Sequence, residues 1–99
     1  MAQLLPKGSV LDSVMIAICR RDDIGVFKTL INCLKEVGTL NIEILRQDMF
    51  NDTIEHLTLS KNVNNLFIMH NWTLNFLEMS KIIKLRKDYP LTTILTKNT

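Results

Sequence analysis

The chain has 99 residues, of which 46% are hydrophobic and 22% are charged. This composition is typical of one globular domain, and it excludes a disordered chain. The formal net charge of +2 is too small to indicate nucleic-acid binding by itself. Because only three glycines and two prolines occur, the sequence favours a few long elements over a sandwich of many short strands.

The first two predicted elements are helices. Ser9 is a suitable N-cap, and Arg20 and Arg21 suit the C-terminus of the first helix. Asp22 and Asp23 are acids at a position that suits the start of the second. Apolar residues follow helical spacing in both segments: Leu11, Val14, Met15, Ile18 and Cys19 in the first, and Ile24, Phe27, Leu30, Ile31, Leu34 and Val37 in the second.

Three further helices are predicted after Gly38, which suits a left-handed helix cap. The last and longest runs from Val63 and ends before Pro90, because the residue before a proline avoids the α region. The two helices before it carry Ile42, Ile44 and Leu45, and then Phe50, Ile54 and Leu57 after a start near Asp48.

These elements together predict an all-α fold, a compact bundle of four or five helices. Residues 1–8 are expected to be a flexible lead-in, residues 9–90 the helical domain, and residues 91–99 a C-terminal tail. The tail is rich in threonine and leucine and has strand propensity, but no partner strand is predicted for it. No internal repeat is evident.

Sequence motifs of enzymes are absent, so no catalytic residue, cofactor or metal site is predicted. His56 is expected on the surface and His70 partly buried. Cys19 and Cys33 are expected to be reduced, small core residues of an intracellular protein. No apolar run is long enough to span a membrane.

Four basic residues within seven positions form the one candidate binding cluster: Lys81, Lys84, Arg86 and Lys87. Cations near a helix C-terminus also complement the helix dipole, which is the simpler explanation. Alternatively, the cluster could border an apolar groove near Trp72 and Met79 and attract an acidic peptide or a phosphate backbone. We expect Trp72 itself to pack in the core with its indole N–H bonded to a neighbour.

The order of residue types over 23–57 resembles the N-terminal helical domain of transcription elongation factor S-II, which is shared with elongin A and a Mediator subunit. The leucine-rich helix of that family corresponds to Leu30-Ile31-Asn32-Cys33-Leu34-Lys35-Glu36-Val37. Its central Leu-Leu-x-x-Thr-x-Ile-Gly stretch corresponds to residues 44–51, with Asp48 in place of threonine and Asn51 in place of glycine. The final Trp-Lys of the family has no clear counterpart here.

This resemblance implies a helical, non-catalytic module that binds short disordered motifs with acidic and hydrophobic anchors. It implies a transcription-elongation scaffold in the nucleus. We also expect the protein to be a monomer. The alternative is a homotypic helical adaptor, of the death-fold or viral Bcl-2-like type, in cytoplasmic signalling. A small nucleic-acid binder that uses residues 81–87 is a third hypothesis.

Overall fold

A computed structural model describes residues 8–57 and 63–99 of the chain. Apart from Gly8, the expected lead-in of residues 1–8 lies outside the described residues. The elements are β1 (Ser9–Ile18), α1 (Arg21–Cys33), β2 (Leu34–Ile44), a single 3₁₀ turn (Gln47–Met49), α2 (Phe50–His56), β3 (Val63–His70), α3 (Phe76–Asp88) and β4 (Thr93–Asn98).

The predicted all-α bundle is wrong, because the fold is α/β. The four strands form one sheet in the order β1-β2-β3-β4, and every neighbouring pair is parallel. Consecutive strands are therefore also neighbours in the sheet. Residues 91–99, which we expected to form a tail, contain β4, and this strand pairs with β3.

The strands were predicted as helices because the spacing of their apolar residues fits both the helical period and the strand period. In β1, Leu11, Val14 and Ile18 fit a helical stripe, but Val14, Ile16 and Ile18 also alternate as strand residues do. The structure settles the period, because Val14 and Ile18 are buried while Met15 is exposed. Val63 to His70 likewise forms a strand that is separate from the helix that follows it.

The hydrophobic core lies between one face of the sheet and the three described helices. Register places aliphatic residues in rows across the strands, so that Val14, Leu40, Leu66 and Ile94 form one row and Ile16, Ile42 and Ile68 lie in the next. The buried faces of all three helices join the same cluster: Ile24, Phe27 and Ile31 from α1, Phe50 and Ile54 from α2, and Ile82 and Leu85 from α3. The helices therefore cover the same side of the sheet.

Strand, connection and helix recur along the chain as a structural repeat, although no repeat was predicted from the sequence. Equivalent inward positions are Val14, Leu40, Leu66 and Ile94, at spacings of 26, 26 and 28 residues. Because each unit returns over the same face, each strand pairs with the next, and α1 packs beside α2, which packs beside α3. This arrangement is an α/β solenoid.

The helix predictions that the structure confirms are those with a clear sequence signal at the start or the end of the helix. Asp22 and Asp23 do lie in the first turn of α1, and the stripe of Ile24, Phe27 and Ile31 is buried. The helix predicted near Asp48 is confirmed as the 3₁₀ turn and α2. The last helix ends at Asp88, before Pro90 as expected.

Gly38 does not cap a helix but lies within β2, against the backbone of β1. A Cβ atom at this position would lie 2.6 Å from the Asp12 carbonyl oxygen, well inside van der Waals contact. Because the obstructing atom belongs to the backbone, a rotamer change cannot relieve the clash. Glycine is thus required where the two strands approach each other.

We expect Gly38→Ala to lower the free energy of unfolding by about 1–3 kcal/mol, as overpacking of a close contact does. Gly25→Ala is the matched control, because Gly25 lies within α1 and an added Cβ there meets nothing within 4 Å. That control should raise stability by about 0.5–1 kcal/mol through helix propensity. Urea denaturation measures both, and equal stability of the two variants would contradict the close approach.

Candidate protein-interaction face

The side of the sheet opposite the helices is the candidate functional surface. Each strand directs three alternate side chains to this side. We call this surface the open face, and in register its rows are Ser13, Thr39, Asn65 and Thr93; Met15, Asn41, Phe67 and Leu95; and Ala17, Glu43, Met69 and Lys97. Among the described residues, no helix packs against it.

The open face exposes large apolar side chains in its middle row. Met15 is 65% exposed and Leu95 is 48% exposed, while Phe67 lies half-buried between their strands. Met69 is half-buried in the adjacent row. Three of the four side chains in this row are thus large and apolar, on a side of the sheet that no described helix covers, and exposed apolar clusters of this kind mark interaction surfaces.

The open face carries charge only in its third row. Glu43 on β2 and Lys97 on β4 flank Met69, with one strand between them. At about 4.8 Å between neighbouring strands, their backbones are about 10 Å apart. The row therefore presents an apolar side chain between a negative and a positive group.

The sequence could have revealed the open face through the alternation within each strand. In β2, buried Leu40, Ile42 and Ile44 alternate with half-buried Asn41 and Glu43. An alternation of period 2 repeated at a spacing of 26 residues indicates parallel strands, whereas single stripes are ambiguous.

The four predicted basic residues lie on α3, on the helical side of the molecule, and they do not form one rim. Lys81 Nζ lies 3.7 Å from Glu55 of α2, and Lys84 Nζ lies 3.2 Å from Asp88 within α3. Arg86 points elsewhere, since its Nε donates a 3.0 Å hydrogen bond to the Ile94 carbonyl of β4. Lys87 is exposed.

Lys81 and Lys84 border a shallow groove of about 310 Å³ between α2 and α3. Acidic residues share its lining, because Glu55 and Asp88 are both present, and Ile54, Leu57, Leu85 and Tyr89 complete it. Since both lysines already contact a carboxylate, the groove has little free positive charge for an acidic peptide. Trp72 and Met79 do not line it.

A polar cluster around the buried Glu78 lies beyond the carboxyl end of β3. Glu78 of α3 accepts hydrogen bonds from the Trp72 indole N–H at 3.1 Å, the Asn75 backbone N–H at 2.9 Å and the Gln47 side-chain amide at 3.3 Å. Asn75 in turn accepts from the Glu78 backbone N–H, which completes a capping box. This explains a buried carboxylate without any catalytic role.

The remaining candidate residues also have structural partners. His70 is buried, and its Nδ1 lies 2.7 Å from the Trp72 carbonyl, while exposed His56 contacts the Asp52 carbonyl. The expectation of a surface His56 is confirmed, whereas His70 is buried more fully than the partly buried position that we expected. Cys19 is exposed rather than buried, so that prediction is wrong, and Cys33 is half-buried.

In the described segments, no group of three or more potential metal ligands converges. None of the helices over those residues is long and apolar enough to cross a membrane.

Comparison of the chain with protein-family models, with curated proteins and with solved structures finds no match. The elongation-factor resemblance therefore stays a prediction, while the helical bundle that it implied is wrong for this chain.

We expect Glu78→Ala to destabilise the fold, because the half-buried Trp72 indole N–H and the Asn75 backbone N–H would lose the buried carboxylate that accepts their hydrogen bonds. Each lost hydrogen bond of this kind costs about 0.5–1.5 kcal/mol. Glu55→Ala is the control: it removes an exposed carboxylate that pairs with Lys81 at 3.7 Å, and such surface pairs contribute about 0–1 kcal/mol. Equal midpoints for the two variants in urea denaturation would contradict the role of the cluster.

The Asp23 carboxyl at the start of α1 predicts that the stability of the fold depends on pH. The backbone N–H groups of Cys19 and Arg20 both donate to Asp23 Oδ2 at 2.9 Å and lower the pKa of this carboxyl. The folded state thus binds a proton at Asp23 less readily than the unfolded state does. The Asp23 carboxylate therefore stabilises the fold fully at a pH above the ordinary aspartate pKa, and this stabilisation is lost as the pH falls through the lowered pKa of Asp23 in the folded state.

Asp23→Asn should therefore reduce the melting temperature most at neutral pH, and its difference from the parent protein should shrink in acid. Asp22→Asn removes the same charge from the neighbouring residue and is the control. A melting-temperature difference between Asp23→Asn and the parent protein that stays constant from neutral to acidic pH would contradict this role of Asp23.

Proposed function

We propose that this protein is a non-catalytic interaction module that binds a short segment of a partner protein on the open face. The observation that carries the proposal is the side of the parallel sheet that no described helix covers, where exposed Met15 and Leu95 and half-buried Phe67 lie in one row with Asn41. Contact with a partner would remove this apolar surface from water, at about 25 cal/mol for each Å².

The repeat architecture supports a binding role. The spacing of 26 residues lies in the 20–29-residue range of leucine-rich repeats, in which a strand and a helix form each unit. Two strands also carry the L-x-x-L-x-L-x-x-N/C pattern of such repeats in apolar form: Leu11, Val14, Ile16 and Cys19, and Val63, Leu66, Ile68 and Asn71. Solenoids of this kind bind partners on an extended surface.

The size of the open face favours a short segment over a large domain. A standard interface uses about 20–30 residues on each side, whereas four strands with three outward positions provide about half of that number. A segment of a disordered partner could lie across the strands.

The charges on the open face indicate the chemistry of this segment. An apolar anchor would contact Phe67 and Met69, a basic residue would face Glu43, and an acidic residue would face Lys97. This keeps the predicted motif with acidic and hydrophobic anchors but moves its site from α3 to the sheet. Nuclear elongation partners stay one proposal for the source of the motif, and cytoplasmic signalling proteins are the alternative.

Selection of peptides from a phage-displayed library, followed by fluorescence anisotropy with the peptides obtained, tests the proposal. Phe67→Thr should weaken binding by about tenfold or more, because central aromatic side chains often dominate such interfaces. Threonine keeps the strand propensity of the position, so the fold should persist.

The competing surface is tested by Lys84→Glu combined with Lys87→Glu, which reverses charge on α3 and leaves the Arg86 bond to β4 intact. This double variant should bind the peptides as the parent protein does. Affinity lost in the double variant but kept in Phe67→Thr would contradict the proposal and place binding on the helical side.

A further inference from the structure

Each end of the solenoid has a strand edge and a helix flank that could contact another molecule. β4 pairs with β3 and β1 pairs with β2, and among the described residues no strand occupies the other edge of either. Both ends therefore present backbone N–H and C=O groups along a parallel edge, which is a template for another strand. The Ile94 carbonyl of β4 is the exception, because it accepts a hydrogen bond from Arg86, and an added strand would displace that side chain. Each end also carries a helix with one flank that faces away from the other described helices.

At the C-terminal end, the flank of α3 is apolar. Lys81 and Lys84 mark the side of α3 that faces α2. A helix turns about 100° for each residue, so the opposite flank carries Phe76, Met79 and Ile83. Phe76 is 85% exposed and Ile83 is 57% exposed, although both belong to residue types that are usually buried.

At the N-terminal end, α1 has a corresponding flank. Its Arg21 guanidinium pairs with Asp52 of α2, which marks the side that is already occupied. The opposite flank carries Val26, which is 55% exposed, and half-buried Leu30. Continuation of the helix row beyond α3 would bring Val26 and Leu30 of the next α1 against Met79 and Ile83.

We propose that the protein associates with a second copy of itself head to tail, with β1 of one molecule added to β4 of the other. This goes beyond the proposed function, because it uses the ends of the solenoid and not the open face. The expected contact repeats the geometry of the internal interfaces, in which parallel strands pair and neighbouring helices pack at every step.

The register of the internal strands also predicts the register between molecules. Ser13, Thr39, Asn65 and Thr93 share one row, so Thr93 should lie opposite Ser13 of the next molecule and Leu95 opposite Met15. The open face would then continue from one molecule into the next, with apolar Leu95 beside apolar Met15 at the junction. The contact differs from the expected monomer, and it is heterologous, since it joins two different surfaces.

Sedimentation velocity of the full chain over a range of concentrations tests this proposal. The parent protein should show a sedimentation coefficient that rises with concentration. Ile83→Glu blocks the C-terminal flank and Val26→Glu blocks the N-terminal flank. Each variant alone should sediment as a single chain at every concentration, with the melting temperature of the parent, because both positions are exposed.

An equimolar mixture of the two variants provides the decisive measurement. Each variant retains the end that the other lacks, so the mixture should form a dimer of twice the mass of one chain and grow no further. Met69→Lys on the open face is the control and should associate as the parent does.

A parent protein that stays monomeric at all concentrations would overturn the proposal. A mixture of Ile83→Glu and Val26→Glu that stays monomeric while the parent associates would also overturn it, because association would then use another surface. Loss of association in Met69→Lys would assign the contact to the open face instead.

Discussion

The rows of aliphatic side chains on the inner face of the sheet are the constraint from which the rest of the structure follows. Leu40 and Ile42 in β2, with Leu66 and Ile68 in β3, are fully buried and lie directly opposite one another. Each row fixes the register of its strands, because a shift by one residue would turn every inner side chain to the other face. As all three described helices pack on these rows, the opposite face has no cover within the described residues.

Helix ends were predictable from the sequence where the signals are local and chemical. Asp23 at the start of α1 and Pro90 after Asp88 need no tertiary context, and the starts of α1 and α2 and the end of α3 were predicted from such signals. The end of α1 was wrongly predicted at Gly38, which lies in β2. The strands were not found, because aliphatic positions such as Leu11, Val14 and Ile18 fit both periods. Parallel pairing adds contacts between residues 26 positions apart, which no local window contains.

The candidate site could not be predicted from the sequence for the same reason. Four cations close together in sequence look like one patch, but successive residues of a helix point in different directions, and Lys81 and Arg86 contact different elements. The open face, in contrast, consists of residues that are distant in sequence and close in space. Met15, Phe67 and Leu95 are far apart in sequence, and the parallel register brings them into one row. A surface made from one residue in each strand becomes visible only after the order of the strands is known.

The most direct test of this account is the solvent exposure of methyl groups on the two sides of β3 and its neighbours. A soluble paramagnetic agent, added to methyl-labelled protein, broadens NMR signals according to their access to solvent. We expect strong broadening for Met15 on the open face, intermediate broadening for Met69, and protection for Ile42 and Ile68 on the inner face. Equal protection of Met69 and Ile68, with Met15 also protected, would contradict a sheet that is covered on one side.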